Sequence, residues 1–265
     1  MSSVFSTGLT RFTRSVAIAS VAVGLSLIAA PAAHGSVVRV DPGAKAAGKP
    51  IWGTSQHLPP MMGTADYEAG PQNSQAIEDY YTTGQARRDQ SAVVRRARSW
   101  ITEWVADNCG GAPASCAATV VFDVDDTLLS GYPYYEGTGF TWNSGSWDAY
   151  VQSCQSPAIE PSRELFRSLK RKGFVVILLT GRSEAERSST ADCLRQRGIS
   201  GWDRLIMQSP AQESLSSAMY KAQERAQLER SGLRIVASIG DQVSDMSRGH
   251  LKAGFLMPNL MYFIS

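Results

Sequence analysis

Residues 119–129 read Thr119-Val-Val-Phe-Asp-Val-Asp-Asp-Thr-Leu-Leu129, an apolar run that stops in three acids. The run Thr119 to Phe122 is short and rich in β-branched and aromatic residues, as a buried parallel strand requires. Strands of such sheets deliver functional groups at their carboxyl ends, where the chain leaves the sheet. Here that end carries Asp123, Asp125, Asp126 and Thr127. Carboxylates beside a buried strand are costly unless something positive compensates them, and a divalent cation is the obvious candidate. A plain turn or helix N-cap would account for one acid pair but not for the whole string. A calcium loop of the EF-hand kind fails on spacing. Counted from Asp123, its glycine position holds Leu128 and its bidentate-Glu position holds Tyr134.

Outward from this string, apolar strands alternate with helical patterns. Strands are expected at 173–180, 203–207 and 233–239, and helices at 161–172, 183–197 and 213–231. That alternation implies a parallel sheet with right-handed crossovers. Upstream, Val93, Ala97, Trp100, Ile101, Trp104 and Val105 fall on one face of a helix expected over 84–107, a core stripe. One crossover is too long. Between Thr127 and the helix at Pro161, residues 131–158 form an extra segment dense in aromatics, including Tyr132, Tyr135, Trp142 and Trp147. Long excursions inside a compact domain usually serve binding, although these aromatics could equally be the core of a small cap.

At the amino end, Arg11 and Arg14 precede an uncharged stretch from Val16 to Ala30, and small residues follow. This is the layout of a secretory signal peptide over 1–35, against the alternative of a membrane anchor. The apolar run is about 15 residues, short of the roughly 20 a spanning helix needs. Without residues 1–35 the 26 basic residues lose two, which leaves 24 against 24 acids. A neutral balance with no basic run argues against a nucleic-acid partner. Residues 36–75 are rich in Gly, Pro, Ser and Gln without a period, and read as an extended or flexible leader, one that wraps the body or stays mobile, to a domain over 76–265.

Cys109, Cys116, Cys154 and Cys193 form an even set in an exported chain, which suggests two disulfides. Three pairings exist, and free buried thiols stay open. Only a Gly/Ala/Pro/Ser loop separates Cys109 from Cys116, so that bridge is the natural local one, leaving Cys154 with Cys193.

Three further stretches end or precede strands. Leu178-Leu-Thr-Gly-Arg182 closes the second strand. Tyr220-Lys-Ala-Gln-Glu-Arg225 lies on a helix. Ile239-Gly-Asp-Gln-Val-Ser-Asp245 follows the last strand expected. Singly, each has an ordinary reading: a helix N-cap, a solvated lysine, a turn aspartate. As an ordered set with residues 119–129 they resemble the four motifs of the haloacid dehalogenase superfamily. Together with Phe255-Leu-Met-Pro-Asn-Leu-Met-Tyr262, they resemble the group of secreted acid phosphatases that includes plant vegetative storage proteins and bacterial class B and C enzymes. The resemblance covers about residues 77 to 263. It departs at Val243, where many relatives carry Trp.

The resemblance implies an α/β fold, a doubly wound parallel sheet of the Rossmann-like haloacid dehalogenase kind with a small cap insertion after the first catalytic strand. It implies a Mg²⁺-dependent phosphomonoesterase acting through an aspartyl-phosphate. In that pattern Asp123 is the nucleophile and Asp125 the acid/base. Thr180, Gly181 and Lys221 bind the phosphate; the backbone N–H groups of the helix after Thr180 are a further candidate. Asp123, Asp125 and Asp241 hold the metal, Asp125 through its backbone carbonyl. Asp245 is a ligand or orients Lys221 or metal-bound water, and Asp126 has no fixed role. The expected partner is a small phosphomonoester, with no membrane association once the signal is cleaved and with an oligomer left open. The alternative is a non-catalytic storage or binding protein of the same fold, because some plant relatives lack the nucleophile. Retention of Asp123, Asp125, Lys221 and Asp241 argues against that, and Asp125 with Asp241 argues against a dehalogenase.

Overall fold

Strand β4, Ala118–Phe122, is buried along its whole length at the centre of a seven-stranded sheet. The computed structural model describes residues 36–54 and 66–264. The signal-peptide segment therefore lies outside the described residues, which contain no helix long and apolar enough to cross a membrane. The strands are β1 (Val38–Val40), β2 (Ile51–Gly53), β5 (Val175–Ser183), β6 (Arg204–Gln208), β7 (Arg234–Gly240) and β8 (Ala253–Leu256), with β4 among them. Their order is β1-β2-β8-β7-β4-β5-β6, and every neighbouring pair is parallel except β1 with β2. A separate two-stranded ladder pairs β3 (Tyr67–Glu68) with β9 (Tyr262–Phe263).

The helices cover both faces. Alternate residues of the strands point opposite ways, so Val120, Phe122, Val176 and Leu178 join one core, and Val121, Ile177, Leu179 and Ile235 the other. The first core is closed by α2 (Gln85–Cys109), α5 (Glu160–Arg171) and α6 (Arg187–Gln196). The second is closed by α7 (Ser217–Arg230). In α2 the buried Val93, Ala97, Ile101 and Val105 recur every fourth residue, as expected, while Trp100 and Trp104 lie at the rim, only partly buried. Gly110, at φ 59°, ends this helix in a left-handed conformation that a side chain would resist.

Both expected disulfides are present, and no free cysteine remains. Cys109–Cys116 joins the end of α2 to the entry of β4. Cys154–Cys193 joins the exit of the long excursion to α6, across 39 residues. On a loop-entropy account a loop of that size contributes about 4 kcal/mol, and the seven-residue one about 2.

The excursion folds as two short helices, α3 (Tyr132–Gly137) and α4 (Ser144–Gln152). Its aromatics mostly pack on one another. Tyr134, Tyr135, Phe140 and Tyr150 are buried in a cluster that also takes in Ile77 of α1 (Ser74–Thr82) and Tyr262. Trp142 alone among them is a large exposed hydrophobic.

Where it is described, the leader lies against the body, one of its two expected courses. Residues 51–53 form β2 beside β8, with Ile51 fully buried, and residues 67–68 pair with the C-terminal β9. A strand of two or three residues is too short to show a period, which is why composition alone suggested a leader. Strand β8 was likewise not expected. The helix after β5 starts at Arg187 and not at Ser183, because β5 runs on to Ser183 and a 3-10 turn, Glu184–Glu186, intervenes.

Candidate active site

The chain crosses from β4 outward to β5 and β6, then returns through α7 to β7 on the other side of β4. The carboxyl ends of β4 and β7 therefore flank the point where the winding reverses, which is where open α/β sheets hold their ligands. Asp123 follows β4 and Asp241 follows β7, and the Asp123 N–H donates to the Ile239 carbonyl at 2.9 Å. Residues 118 apart in sequence thus emerge side by side because their strands are neighbours.

Lys221 comes from α7, whose start is fixed by the Ser216 side chain accepting from the Met219 N–H. Its Nζ donates to Asp123 Oδ1 at 2.8 Å and also to Asp245 Oδ1. All three residues are buried. Burial alone would lower the Lys221 pKa, but the charges of Asp123 and Asp245 outweigh it and hold the ammonium firmly protonated. Asp245 spends its other oxygen on the Gln242 N–H, at 2.9 Å. Gly240 makes this packing feasible: a Cβ there would stand 2.1 Å from Asp245 Oδ2.

Asp123, Asp241 and Asp245 each bring a carboxylate oxygen to within 4.8 Å of the others. One ammonium faces three buried carboxylates. The donor set is oxygen only, without His or Cys, and so suits a hard divalent cation. Burial and then the charges of Asp245 and Asp126 push the Asp241 carboxyl up to about 8, against opposing hydrogen bonds from Asn259 and Gln242. Burial also raises Asp123, which Lys221 only partly offsets.

Asp125 stands apart from this cluster. Both its carboxylate oxygens accept from the Arg182 guanidinium, at 2.9 and 2.6 Å, and Arg182 also donates to Thr190 Oγ1. Phe122 pairs with Leu178 in the sheet, so Thr180, inside β5, stands one residue beyond the level of Asp123. The Thr180 hydroxyl is buried and accepts from the Arg182 N–H, whereas Gly181 is exposed. The idea that the following helix start binds an anion fails. The Ser183 N–H already donates to the Glu186 carboxylate, and the first turn carries Glu184 and Glu186.

Asp126, left without a role by the sequence, is a buried anchor. In a left-handed conformation, φ 52°, its carboxylate accepts from the Gly131 N–H and the Tyr262 hydroxyl, both at 2.8 Å. Sequence reasoning also missed Arg182, although Thr-Gly-Arg was in view. It missed Arg225, whose guanidinium donates to the carbonyls of Asp245, Ser247 and Gly249 and so braces the loop after β7. The i, i+4 spacing of Lys221 and Arg225 on α7 was the available signal.

A pH dependence follows. Burial, opposed by the Gly131 and Tyr262 hydrogen bonds, raises Asp126 to about 7. Asp126 and Asp241 thus bind protons more tightly folded than unfolded. Their protonation stabilises the fold at acid pH, and that contribution is lost as pH rises through about 7 to 8. In EDTA the melting temperature should fall from pH 5 to pH 8, and added Mg²⁺ should raise it most at pH 8. A thermal melt series checks this; a Mg²⁺ effect larger at pH 5 than at pH 8 would contradict it.

Comparison with known proteins places this geometry. The family model for subfamily IIIB acid phosphatases of the haloacid dehalogenase (HAD) superfamily matches residues 53–265. Acid phosphatase 1 of Solanum lycopersicum is 36% identical over 148 residues, 54% of this chain and 58% of that protein. The Stem 28 kDa glycoprotein of Glycine max is 36% identical over 55% of this chain and 60% of its own length. The match thus spans less than two thirds of those relatives. Vegetative storage protein 1 of Arabidopsis thaliana is 28% identical over 75% of this chain and 73% of its own. Among solved structures, the class C acid phosphatase from Bacillus anthracis shares the fold. Its TM-score is 0.58 at 18% identity, over 74% of this chain and 86% of that one. With a family model covering most of its length, the chain belongs to subfamily IIIB, the acid phosphatases, of the HAD superfamily.

Proposed function

We propose that the protein is a secreted, Mg²⁺-dependent phosphomonoesterase that works through an aspartyl-phosphate on Asp123. The observation that carries this reading is the buried Asp123–Lys221–Asp245 bridge beside Asp241, at the reversal point of the sheet. Asp123, Asp241 and the backbone carbonyl of Asp125 would hold the cation. When bound, the cation neutralises the phosphoryl anion and the acids around it.

A phosphate monoester repels nucleophiles because it is itself an anion, so the site must neutralise and align. Lys221 neutralises Asp123 and fixes its plane. Asp123 attacks phosphorus: a carboxylate O–P bond forms and the ester P–O bond breaks. The leaving oxygen takes a proton from Asp125, and the alcohol departs. Water then attacks phosphorus and gives a proton back to Asp125, releasing phosphate and restoring Asp123. Thr180, Gly181 and Lys221 bind the phosphoryl oxygens, and Asp245 keeps Lys221 in place. Arg182 sets the orientation of Asp125, which must free an oxygen from the guanidinium to reach the leaving group. Residues 131–158 act as a cap over this edge. Arg11 and Arg14 ahead of an apolar run, together with two disulfides, support export.

The reading is tested by assaying purified protein on p-nitrophenyl phosphate, nucleotides and sugar phosphates, with Mg²⁺ and with EDTA. Hydrolysis should be present with Mg²⁺ and lost with EDTA; none on any substrate would favour the storage protein. Asp125→Asn should slow alkyl phosphates by about 10²–10⁴-fold. It should slow p-nitrophenyl phosphate far less, because p-nitrophenolate leaves without a proton. Equal slowing across leaving groups would remove Asp125 from the acid role.

A further inference from the structure

The stretch Phe255 to Tyr262, prominent in the sequence, has no part in the chemistry above. Its Asn259 is buried and its amide serves two masters. The Oδ1 atom accepts from the backbone N–H groups of Met261, at 2.7 Å, and Tyr262, at 3.4 Å. With its acceptor so occupied, the amide presents Nδ2 to Asp241 Oδ2, at 2.7 Å. Gln242 repeats the arrangement. Its Oε1 accepts from the Ile264 N–H at 2.9 Å, and its Nε2 donates to the same Asp241 Oδ2 at 2.7 Å. In both residues the C-terminal backbone decides which end of the amide faces the acid.

A carboxylate oxygen has two lone-pair directions. Two amide donors fill those of Asp241 Oδ2. Among the described residues the other oxygen, Oδ1, accepts only from the Thr127 hydroxyl, at a long 3.4 Å. Asp241 therefore offers one oxygen to a cation and not two. Its neighbours are restricted likewise: Lys221 takes one oxygen of Asp123, and both oxygens of Asp245 are engaged. One-oxygen carboxylates suit a small octahedral ion such as Mg²⁺. Ca²⁺ takes six to eight ligands and accepts carboxylates through both oxygens.

We propose that Asn259 and Gln242 are positioning residues that hold Asp241 to a single metal-facing oxygen. Through them the C-terminal segment sets the preference of the site for a small six-coordinate cation over a large one. This rests on the metal-dependent reading above and deepens it.

The test needs no turnover. Mg²⁺ and Ca²⁺ are titrated separately into metal-free full-length protein by calorimetry, for wild type, Asn259→Ala and Gln242→Met. Wild type should bind Mg²⁺ more tightly relative to Ca²⁺ than either variant does. Each variant should shift the ratio of dissociation constants toward Ca²⁺ by about tenfold, the lower end of what partners of a metal ligand contribute. Equal weakening of both ions, or an unchanged ratio, would reduce Asn259 and Gln242 to supports of the tail and overturn the proposal. If Asn259→Ala does not fold, Gln242→Met carries the same decision. Wild type that binds neither ion would sink the metal-dependent reading itself. Wild type that binds Mg²⁺ and hydrolyses substrate, with variants of unchanged ratio, sinks the inference alone.

Discussion

Asp123→Asn is expected to cut turnover by at least about 10⁴-fold, the scale on which loss of a nucleophile acts in covalent hydrolases. The carboxamide cannot attack phosphorus, yet its oxygen can still accept from Lys221, which now lies 2.8 Å from Asp123 Oδ1. Stability should not suffer. The buried Asp123 carboxylate is raised by burial and by the charges of Asp245, Asp241 and Asp125, so neutralising it relieves repulsion. The variant should therefore melt at or above the wild-type temperature in EDTA, and should no longer be stabilised to the same extent by Mg²⁺. Steady-state rates and a thermal melt on one preparation check both halves. A variant that keeps more than about one per cent of the rate would show that another group attacks, since removing a true nucleophile costs orders of magnitude more.

The opposite stability outcome is expected for Lys221→Met. The side chain is similar in length, but Asp123 and Asp245 lose their common cation while remaining buried. Breaking a buried ion pair from one side costs about 3–5 kcal/mol, because the surviving charge is left uncompensated. For a chain of this size each kcal/mol moves the melting temperature by about 2–4 °C, so a fall of roughly 6–20 °C is expected near pH 8. Acid should restore part of it, since the stranded carboxylates can then take up protons. A second change, Asp245→Asn, should also recover part of the loss, as it removes one stranded charge. A Lys221→Met protein that melts like wild type at pH 8 would mean that solvent reaches these acids and that the bridge matters little.

What the sequence disclosed was decided by length and by position. The strands over 118–122, 175–183 and 234–240 have apolar runs long enough to be seen, and the acids that follow the first and the last of them mark the site. β7 lies beside β4, so Asp123 and Asp241 meet; the sequence pointed to that meeting only through its resemblance to the superfamily's ordered motifs, since strand order cannot be read from local pattern. The two- and three-residue strands β1, β2, β3 and β9 carry no period, so their place in the fold comes from pairing with distant segments. The polar partners were hidden for a different reason. Arg182, Arg225 and Asn259 act through contacts with residues 57, 20 and 18 positions away, among others, and no local rule fixes those pairings. The aromatic segment took the plainer of its two readings, the core of a small cap: Tyr135 stacks on Tyr262 and Trp147 on Tyr150, so its aromatic density is largely mutual packing.

The pairing of β2 with β8, and of β3 with β9, joins segments about 200 residues apart, so closing these contacts carries a large share of the ordering entropy and they should form late in folding. The β3–β9 ladder has only two residues a strand, and a sub-global opening there would release residues 259–264 while the central strands stay in register. The cooperative unit that peels away first is then also the one that holds the acid after β7, so exchange of amide protons there reports on the integrity of the site long before the sheet itself unravels.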